Sequence, residues 1–287
     1  MLVHATSEFG TLRRVAMRYA GDFTRPLTGP HVHPVTVRQM TTSSYAPYGK
    51  ATVRSQQNDL IRLLRDRGTE VILLDEADGC SWQHYTRDIA FVIDDVLFFA
   101  RLNSGDRRPE ADALVALTAG ALRVARLEAG TVEGGDIMLH TGIVLAGLSE
   151  ETSMTGIGAL RSALVRHGID REVIPVRFST DGIVHLDDHF TIAAPGTALV
   201  HRPVFPGAQI RWFEQHFDLI EVTDEEALAV QANVLAIAPG TVVVTDGSDR
   251  IAAELAARGI KVLTINYSEV TRLPGSLRCT TLPLLRD

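Results

Sequence analysis

The near-terminal stretch Leu273-Pro274-Gly275-Ser276-Leu277-Arg278-Cys279-Thr280-Thr281-Leu282-Pro283-Leu284 places one of two cysteines in a Pro/Gly/Ser loop, just before a short apolar strand. The thiolate is the reactive form of cysteine, and a cation beside it, here Arg278, is expected to lower its pKa from about 8.5. Taken alone, Cys279 reads as an inert thiol near a terminus. Three stretches upstream change that reading: Arg87-Asp88, Glu133-Gly134-Gly135-Asp136 and His185-Leu186-Asp187. Acids lining a pocket beside a thiol suit a cationic substrate, and two or three carboxylates match a guanidinium with planar donors on every edge. The thiolate would add to the electrophilic guanidinium carbon while a histidine protonates the departing nitrogen. The same histidine would then take a proton from water to hydrolyse the covalent intermediate. This chemistry calls for no metal and no cofactor.

The elements that must bring these stretches together are legible as strands and helices. Residues 10–19 read as a first strand, and 20–50, rich in Gly, Pro, Ser and Thr, as a long loop of the kind that serves as a lid. His31 and His33 in that loop read as surface histidines, since no acid or cysteine accompanies them. Helices are expected from Ala51 to Gly68, over 153–167 before Gly168, and from a Ser248-Asp249 cap to Gly259, each followed by a strand. Between them lie apolar strand pairs: 89–93 with 96–100, 136–139 with 143–146, 190–194 with 197–200, and 233–237 with 241–244. The unit strand–strand–helix–strand recurs about every 45 residues, a period that signals a repeat architecture. Five units start near 88, 133, 182, 226 and 268. The last lacks a helix, which the N-terminal strand, helix and strand can supply, so a closed ring is expected. In such a ring Asp88, Glu133, His185 with Asp187, and Cys279 share one axis. The fourth unit, where Ala227 to Ala232 are mostly apolar, is expected to contribute no comparable group.

Composition narrows the classes. With 287 residues, 45% hydrophobic and 22% charged, the chain can build a sizeable core. A net charge of −7, a pI near 5.8 and the absence of a basic run argue against nucleic acid as a partner. The first residues lack the apolar core of a signal peptide, and no apolar run approaches membrane-spanning length. Two cysteines make no disulfide framework, so a reducing, cytoplasmic setting is the default. Other readings of the same residues are weaker. His185-Leu186-Asp187 as half of a metal site lacks further ligands at a suitable spacing. Gly156-Ile157-Gly158 lacks the third glycine of a dinucleotide fingerprint and falls inside a helical pattern. Gly134-Gly135 as a mere tight turn, and Asp187-Asp188 as a solvated pair, are respectable one at a time but do not account for the coincidence.

The set Thr86-Arg87-Asp88, Glu133-Gly134-Gly135-Asp136, His185-Leu186-Asp187 and near-terminal Cys279 resembles the guanidino-group-modifying superfamily of arginine deiminases, dimethylarginine dimethylaminohydrolases and amidinotransferases. The resemblance runs from about residue 8 to the end. It implies an α/β fold, the five-bladed α/β-propeller (pentein) of ββαβ-type repeats with pseudo-fivefold symmetry, as one catalytic domain over 1–287. It also implies Cys279 as nucleophile, His185 as general acid/base, Asp88 and Asp187 gripping the guanidinium, and Glu133 orienting substrate beside His185. Asp187 is similar to deiminases and amidinotransferases rather than to dimethylarginine hydrolases, and Glu133-Gly134-Gly135-Asp136 is similar to the hydrolases. The expectation is therefore hydrolysis of an unmethylated guanidino substrate, with amidino transfer to an amine or hydrolysis of dimethylarginine as alternatives, and a non-catalytic binding ring behind them. At the substrate's other end the chain departs from the deiminases: Glu150-Glu151-Thr152-Ser153 replaces a Glu-Arg-Thr-Ser-like stretch, and Trp82 stands where they have asparagine. Arg107, Arg108 or Arg278 would take a substrate carboxylate. Exposed blade edges would allow a homodimer.

Overall fold

The computed structural model describes residues 2–21, 49–118, 123–180 and 183–287. The expected lid, including His31 and His33, falls almost wholly outside them. The described strands are β1 (Leu12–Met17), β2 (Glu70–Leu73), β3 (Ala90–Ile93), β4 (Val96–Phe99), β5 (Arg123–Arg126), β6 (Ile137–His140), β7 (Ile143–Leu148), β8 (Glu172–Arg177), β9 (Phe190–Ala194), β10 (Thr197–Val200), β11 (Asp218–Glu221), β12 (Leu235–Ala238), β13 (Thr241–Thr245), β14 (Lys261–Ile265) and β15 (Leu282–Arg286). Among the described residues they form five three-stranded sheets, β15-β1-β2, β3-β4-β5, β6-β7-β8, β9-β10-β11 and β12-β13-β14. In each, the middle strand pairs antiparallel on one side and parallel on the other.

That pattern follows from how far a connection must travel. An antiparallel pair needs only a tight turn, such as Asp94-Asp95, whereas a parallel pair needs a crossover, usually helical. The helices Lys50–Arg65, Asp112–Thr118, Met154–Arg166, Gly207–His216 and Asp249–Ala257 each connect the two parallel strands of one sheet. The first sheet joins both ends of the chain: β1 and β2 flank the helix Lys50–Arg65, and β15 pairs antiparallel with β1. Strands β3, β4, β9 and β10 are buried on both faces, which explains why they read as unbroken apolar runs rather than as alternating ones.

Local chemistry sets the helix ends and packing. Ser153 Oγ accepts a hydrogen bond from Gly156 N at 3.1 Å, capping the helix Met154–Arg166. Gly156 itself lies against Thr131 O, where a Cβ would come within 2.0 Å, so this glycine serves close approach of helix to loop. Ser248 departs from expectation: it stands at the N-terminus of the helix Asp249–Ala257, but its hydroxyl pairs with Thr245 Oγ1 at 3.0 Å instead of capping a helix N–H. Aromatic stacking fills the interior, with Phe91 on Phe98 and Phe190 on Phe213. No helix among the described residues is long and apolar enough to cross a membrane.

Candidate functional site

The segments that lead into β3, β6, β9, β12 and β15 meet, and hydrogen bonds tie each to the next. Arg87 N donates to Cys279 O at 3.0 Å, and Gly134 N donates to Asp88 O at 3.2 Å. Leu186 N donates to Asp136 Oδ1 at 2.9 Å, linking the third lead-in to the second. Asn233 then closes the circuit. Its Oδ1 accepts from Arg278 N at 2.9 Å and Cys279 N at 3.2 Å, and its Nδ2 donates to Asp187 O at 3.2 Å and to Cys279 Sγ at 3.0 Å. The fourth unit brings no acid or histidine, as expected, but it does bring this amide, which the sequence reading passed over. An asparagine in front of an apolar strand carries no charge or nucleophile to flag it, and only its position just before β12 hints at a role.

The glycines of Glu133-Gly134-Gly135-Asp136 are there for contact. A Cβ on Gly134 would lie 2.0 Å from Arg87 O, and one on Gly135 would lie 2.6 Å from the His185 ring. The ring packs on bare backbone, with Nε2 3.1 Å from Glu133 Oε2 and Nδ1 3.6 Å from Asp88 Oδ1. Thr152 accepts from Glu133 N at 3.1 Å and Ser149 donates to Asp136 Oδ2 at 2.6 Å, so the strand end after β7 supports this acidic turn. The Thr152 and Ser153 of the unusual Glu150-Glu151-Thr152-Ser153 stretch therefore have places within the fold, one under Glu133 and one at a helix start.

Asp88, Glu133, His185, Asp187, Asp188 and Cys279 are all buried, which excludes a solvated Asp187-Asp188 pair. Burial opposes protonation of His185, but Asp88, Glu133 and Asp136 outweigh it and hold its pKa well above the usual histidine value. The Cys279 thiol is pushed well above its ordinary value, first by burial and then by Asp187, Asp188 and Asp88. In this resting arrangement the thiol donates to Asp187, with Sγ 3.6 Å from Oδ2. Burial, followed by Asp187, also pushes Asp188 up to about 7.

The arginines fall differently from expectation. Arg278 is not among the main groups that set the thiol pKa, and its buried guanidinium is taken up by contacts inside the protein. Its side chain turns into the interior, with Nη1 2.6 Å from Asp187 Oδ2, Nε 3.2 Å from Glu8 Oε2 and Nη2 2.6 Å from Ile137 O. Arg108 is exposed. Arg107 enters the acidic floor, its Nη1 donating to Asp88 Oδ2 at 2.8 Å and its Nη2 to Glu110 Oε2 at 2.9 Å. Asp88 Oδ1 stays buried with no hydrogen-bond partner among the described residues. Trp82 and Tyr85 pack with Leu273 and Cys279 as an apolar wall.

Two donor sets could in principle ligate an ion, Asp88 with Glu133 and His185, and Asp187 with Asp188 and Cys279, each with its atoms within 4.8 Å. Arg107 and Arg278 already set a cation against each. The arrangement sets a buried thiol and an acid-paired imidazole among several carboxylates. It can move protons at His185 and can form a bond at Sγ.

Comparison with known proteins places this geometry. The arginine deiminase family model matches residues 76–218 and 213–286, well over half of the chain. The uncharacterized protein YkgA of Bacillus subtilis is 31% identical over 237 residues, covering 82% of this chain and 81% of that protein. The N(G),N(G)-dimethylarginine dimethylaminohydrolase of Pseudomonas aeruginosa is 26% identical over 249 residues, 85% of this chain and 92% of its own. SxtG, an amidinotransferase from Microseira wollei in the saxitoxin biosynthetic pathway, superposes with a TM-score of 0.84 over 99% of this chain and 97% of its own. At 17% identity that likeness speaks for the fold alone. The chain belongs to the arginine deiminase family, within the superfamily of guanidino-group-modifying enzymes.

Proposed function

We propose that this chain hydrolyses an unmethylated guanidino compound, arginine or a close relative, to a ureido product and ammonia. The observation that carries the reading is the thiol of Cys279, held by Asn233 and Asp187, in a site where one buried oxygen of Asp88 accepts no hydrogen bond among the described residues and lies 3.6 Å from His185 Nδ1. A guanidinium placed there would donate to Asp88 and Asp187 and add positive charge next to the thiol. That charge offsets the acids that hold the thiol protonated, so substrate itself favours the thiolate, with the thiol proton released to solvent. Sulfur adds to the guanidinium carbon, His185 gives its proton to one nitrogen, and ammonia departs, leaving a thiouronium on Cys279. His185, now neutral and oriented by Glu133, takes a proton from water. The hydroxide attacks the same carbon, the C–S bond breaks, and the ureido product leaves with the thiolate restored.

An acid at Asp187 supports an unmethylated substrate, because a methylated nitrogen has fewer N–H groups to give it. Arg107 is the partly exposed cation at this floor, and we assign it to the substrate's carboxylate; Arg108 has no contact that supports the same role. The fold belonging to this reading is the five-bladed propeller of pseudo-fivefold symmetry, acting as one catalytic domain. The circuit of lead-in segments and the pairing of β1 with β15 support it. Neither Cys80 nor Cys279 is in a disulfide among the described residues, which suits a reducing, cytoplasmic setting.

The test is mass spectrometry of purified protein with arginine, methylarginines, agmatine and short guanidino acids, with and without amine acceptors. Expected is a gain of about one dalton with ammonia released, lost at least about a thousandfold in Cys279→Ser. Turnover that requires an amine would replace hydrolysis by amidino transfer. Turnover of methylarginines alone would move the substrate class.

A further inference from the structure

A second polar site lies among the N-terminal segment, β3, β6 and β15. It is a small cavity with room for one water-sized group, lined by Ser7, Glu8, Arg87, Phe91, Leu139 and Arg286 among others. Around it, among the described residues, buried positive charge exceeds negative. Arg87, Arg278 and Arg286 are each at least 95% buried, and the carboxylates that act on them are Glu8 and Asp187. Arg278 sits between those two acids, so three cations share two negative charges. Arg286 gives its two Nη groups to Gly10 O and Ala236 O, which are neutral acceptors.

Arg87 is the least compensated of the three. Its Nε reaches Arg278 O at 3.5 Å, and its Nη2 is buried with no hydrogen-bond partner among the described residues. Burial, then Arg278, pushes the Arg87 guanidinium down to about 9, which reflects how poorly its charge is met. Ser7 accepts from Gly10 N at 3.0 Å, which leaves its hydroxyl proton to donate. Glu8, the carboxylate in the lining, acts on Arg87 and Arg286 through its charge, while its hydrogen bonds come from Arg278 Nε and Leu139 N. A buried charge without a counter-charge is costly, and guanidinium and hydroxyl donors with an apolar wall are the groups that hold a small anion.

We propose that this cavity binds a single monatomic anion, chloride, between Arg87 Nη2, the Ser7 hydroxyl and Arg286. The size of the cavity selects against phosphate, sulfate and carboxylates. The site lies one residue from Asp88, and Arg278 links it to Asp187, so the ion completes the charge balance of the wall that carries the thiol loop.

The test is thermal unfolding of the full chain in sodium chloride, sodium bromide and sodium gluconate at equal ionic strength. It is paired with bromide-soaked crystals measured at the bromine edge. Expected is a saturable rise in Tm of about 2–4 °C at tenfold over Kd in either halide relative to gluconate. An anomalous peak should lie within contact of Arg87 Nη2, and Arg87→Met should remove both signals. If Arg87→Met fails to fold, Ser7→Ala keeps the charges and should weaken halide affinity several-fold. Equal Tm in all three salts, a water at Arg87 Nη2 without bromide signal, halide dependence that survives Arg87→Met, or unchanged affinity in Ser7→Ala would each overturn the proposal.

Discussion

At the scale of single residues, the site depends on how a thiol is held in acidic surroundings. Cys279 is raised by burial and by Asp187, Asp188 and Asp88, so in the free protein it should react slowly with iodoacetamide at neutral pH. Asp187→Asn removes the nearest negative charge and releases Arg278 from its partner. Both changes lower the thiol pKa, so alkylation should accelerate about tenfold for each pKa unit gained. On the proposed function, guanidine turnover should fall in the same variant, because it removes one of the acids proposed to hold the guanidinium. Opposite signs in the two assays would separate thiol activation from substrate binding. Asn233 makes a second prediction. Its Nδ2 donates to Sγ, and a hydrogen bond to a charged acceptor is worth about 1.5–3 kcal/mol. Asn233→Ala should therefore lower kcat about ten- to a hundredfold with KM little changed, as steady-state kinetics would show. Asp88, Glu133, His185, Asp187 and Cys279 were readable because acids, a histidine and a thiol each carry their chemistry in their type. Asn233 was not, because an amide becomes informative only through what it touches. Arg278 misled for the converse reason: adjacency in sequence to Cys279 says nothing about where its long side chain goes, and here it runs inward to Glu8.

At the scale of elements, the strand pairs and helix ends were legible because apolar runs and terminal glycines report local backbone needs. The supports between elements were not. Asp136 shows why. It follows Gly134-Gly135, yet its oxygens reach forward, accepting from Leu186 N at 2.9 Å and from Ser149 at 2.6 Å. It thereby holds the His185 turn against the β6–β7 pair. Burial raises its pKa to about 6, against the pull of His185 and of its hydrogen bonds. A carboxyl raised in the folded state contributes stability below its unfolded pKa, and that contribution disappears as pH climbs through the folded value. From an ordinary value of 3.8 the window runs to about 6. Asp136→Asn keeps an acceptor for Leu186 N and carries no buried charge. Its stability relative to the parent should thus climb across that window by about 3 kcal/mol, measurable by urea unfolding at a series of pH values. The same change removes one of the charges that raises His185, so the alkaline limb of the rate profile should move to lower pH. A variant whose stability curve and rate profile both matched the parent would show that Asp136 neither titrates nor acts on His185.

At the scale of the whole molecule, what matters is that residues far apart in the chain share one interior. The first sheet joins β15 to β1, and Arg286 N donates to His4 O across the two chain ends. Glu8 is the charge that ties this closure to the candidate site. Its Oε1 accepts from Leu139 N in β6, and its Oε2 pairs with Arg278, the residue before the thiol. No periodicity could have pointed to it, since its partners lie about 130 and 270 positions away. Burial works against its charge, but Arg278, Arg87 and Arg286 outweigh burial and bring its pKa down from 4.5 to about 2. A carboxylate depressed in this way contributes stability that is complete above its unfolded pKa and is lost as pH falls through the folded one. The shift corresponds to about 3 kcal/mol, present at neutral pH and lost between about pH 4.5 and 2. Glu8→Gln should therefore destabilise the protein by a similar amount at pH 7, because it leaves Asp187 as the acid that acts on Arg278 and Arg87 and takes from Arg286 the acid that offsets its charge. Its stability should fall less steeply than that of the parent between about pH 4.5 and 2. Released from Glu8, Arg278 would still pair with Asp187, so the thiol loop should keep its place and kcat should fall less than stability does. A variant as stable as its parent, or one that loses turnover while keeping its melting temperature, would mean that the chain ends and the thiol loop are not coupled through Glu8.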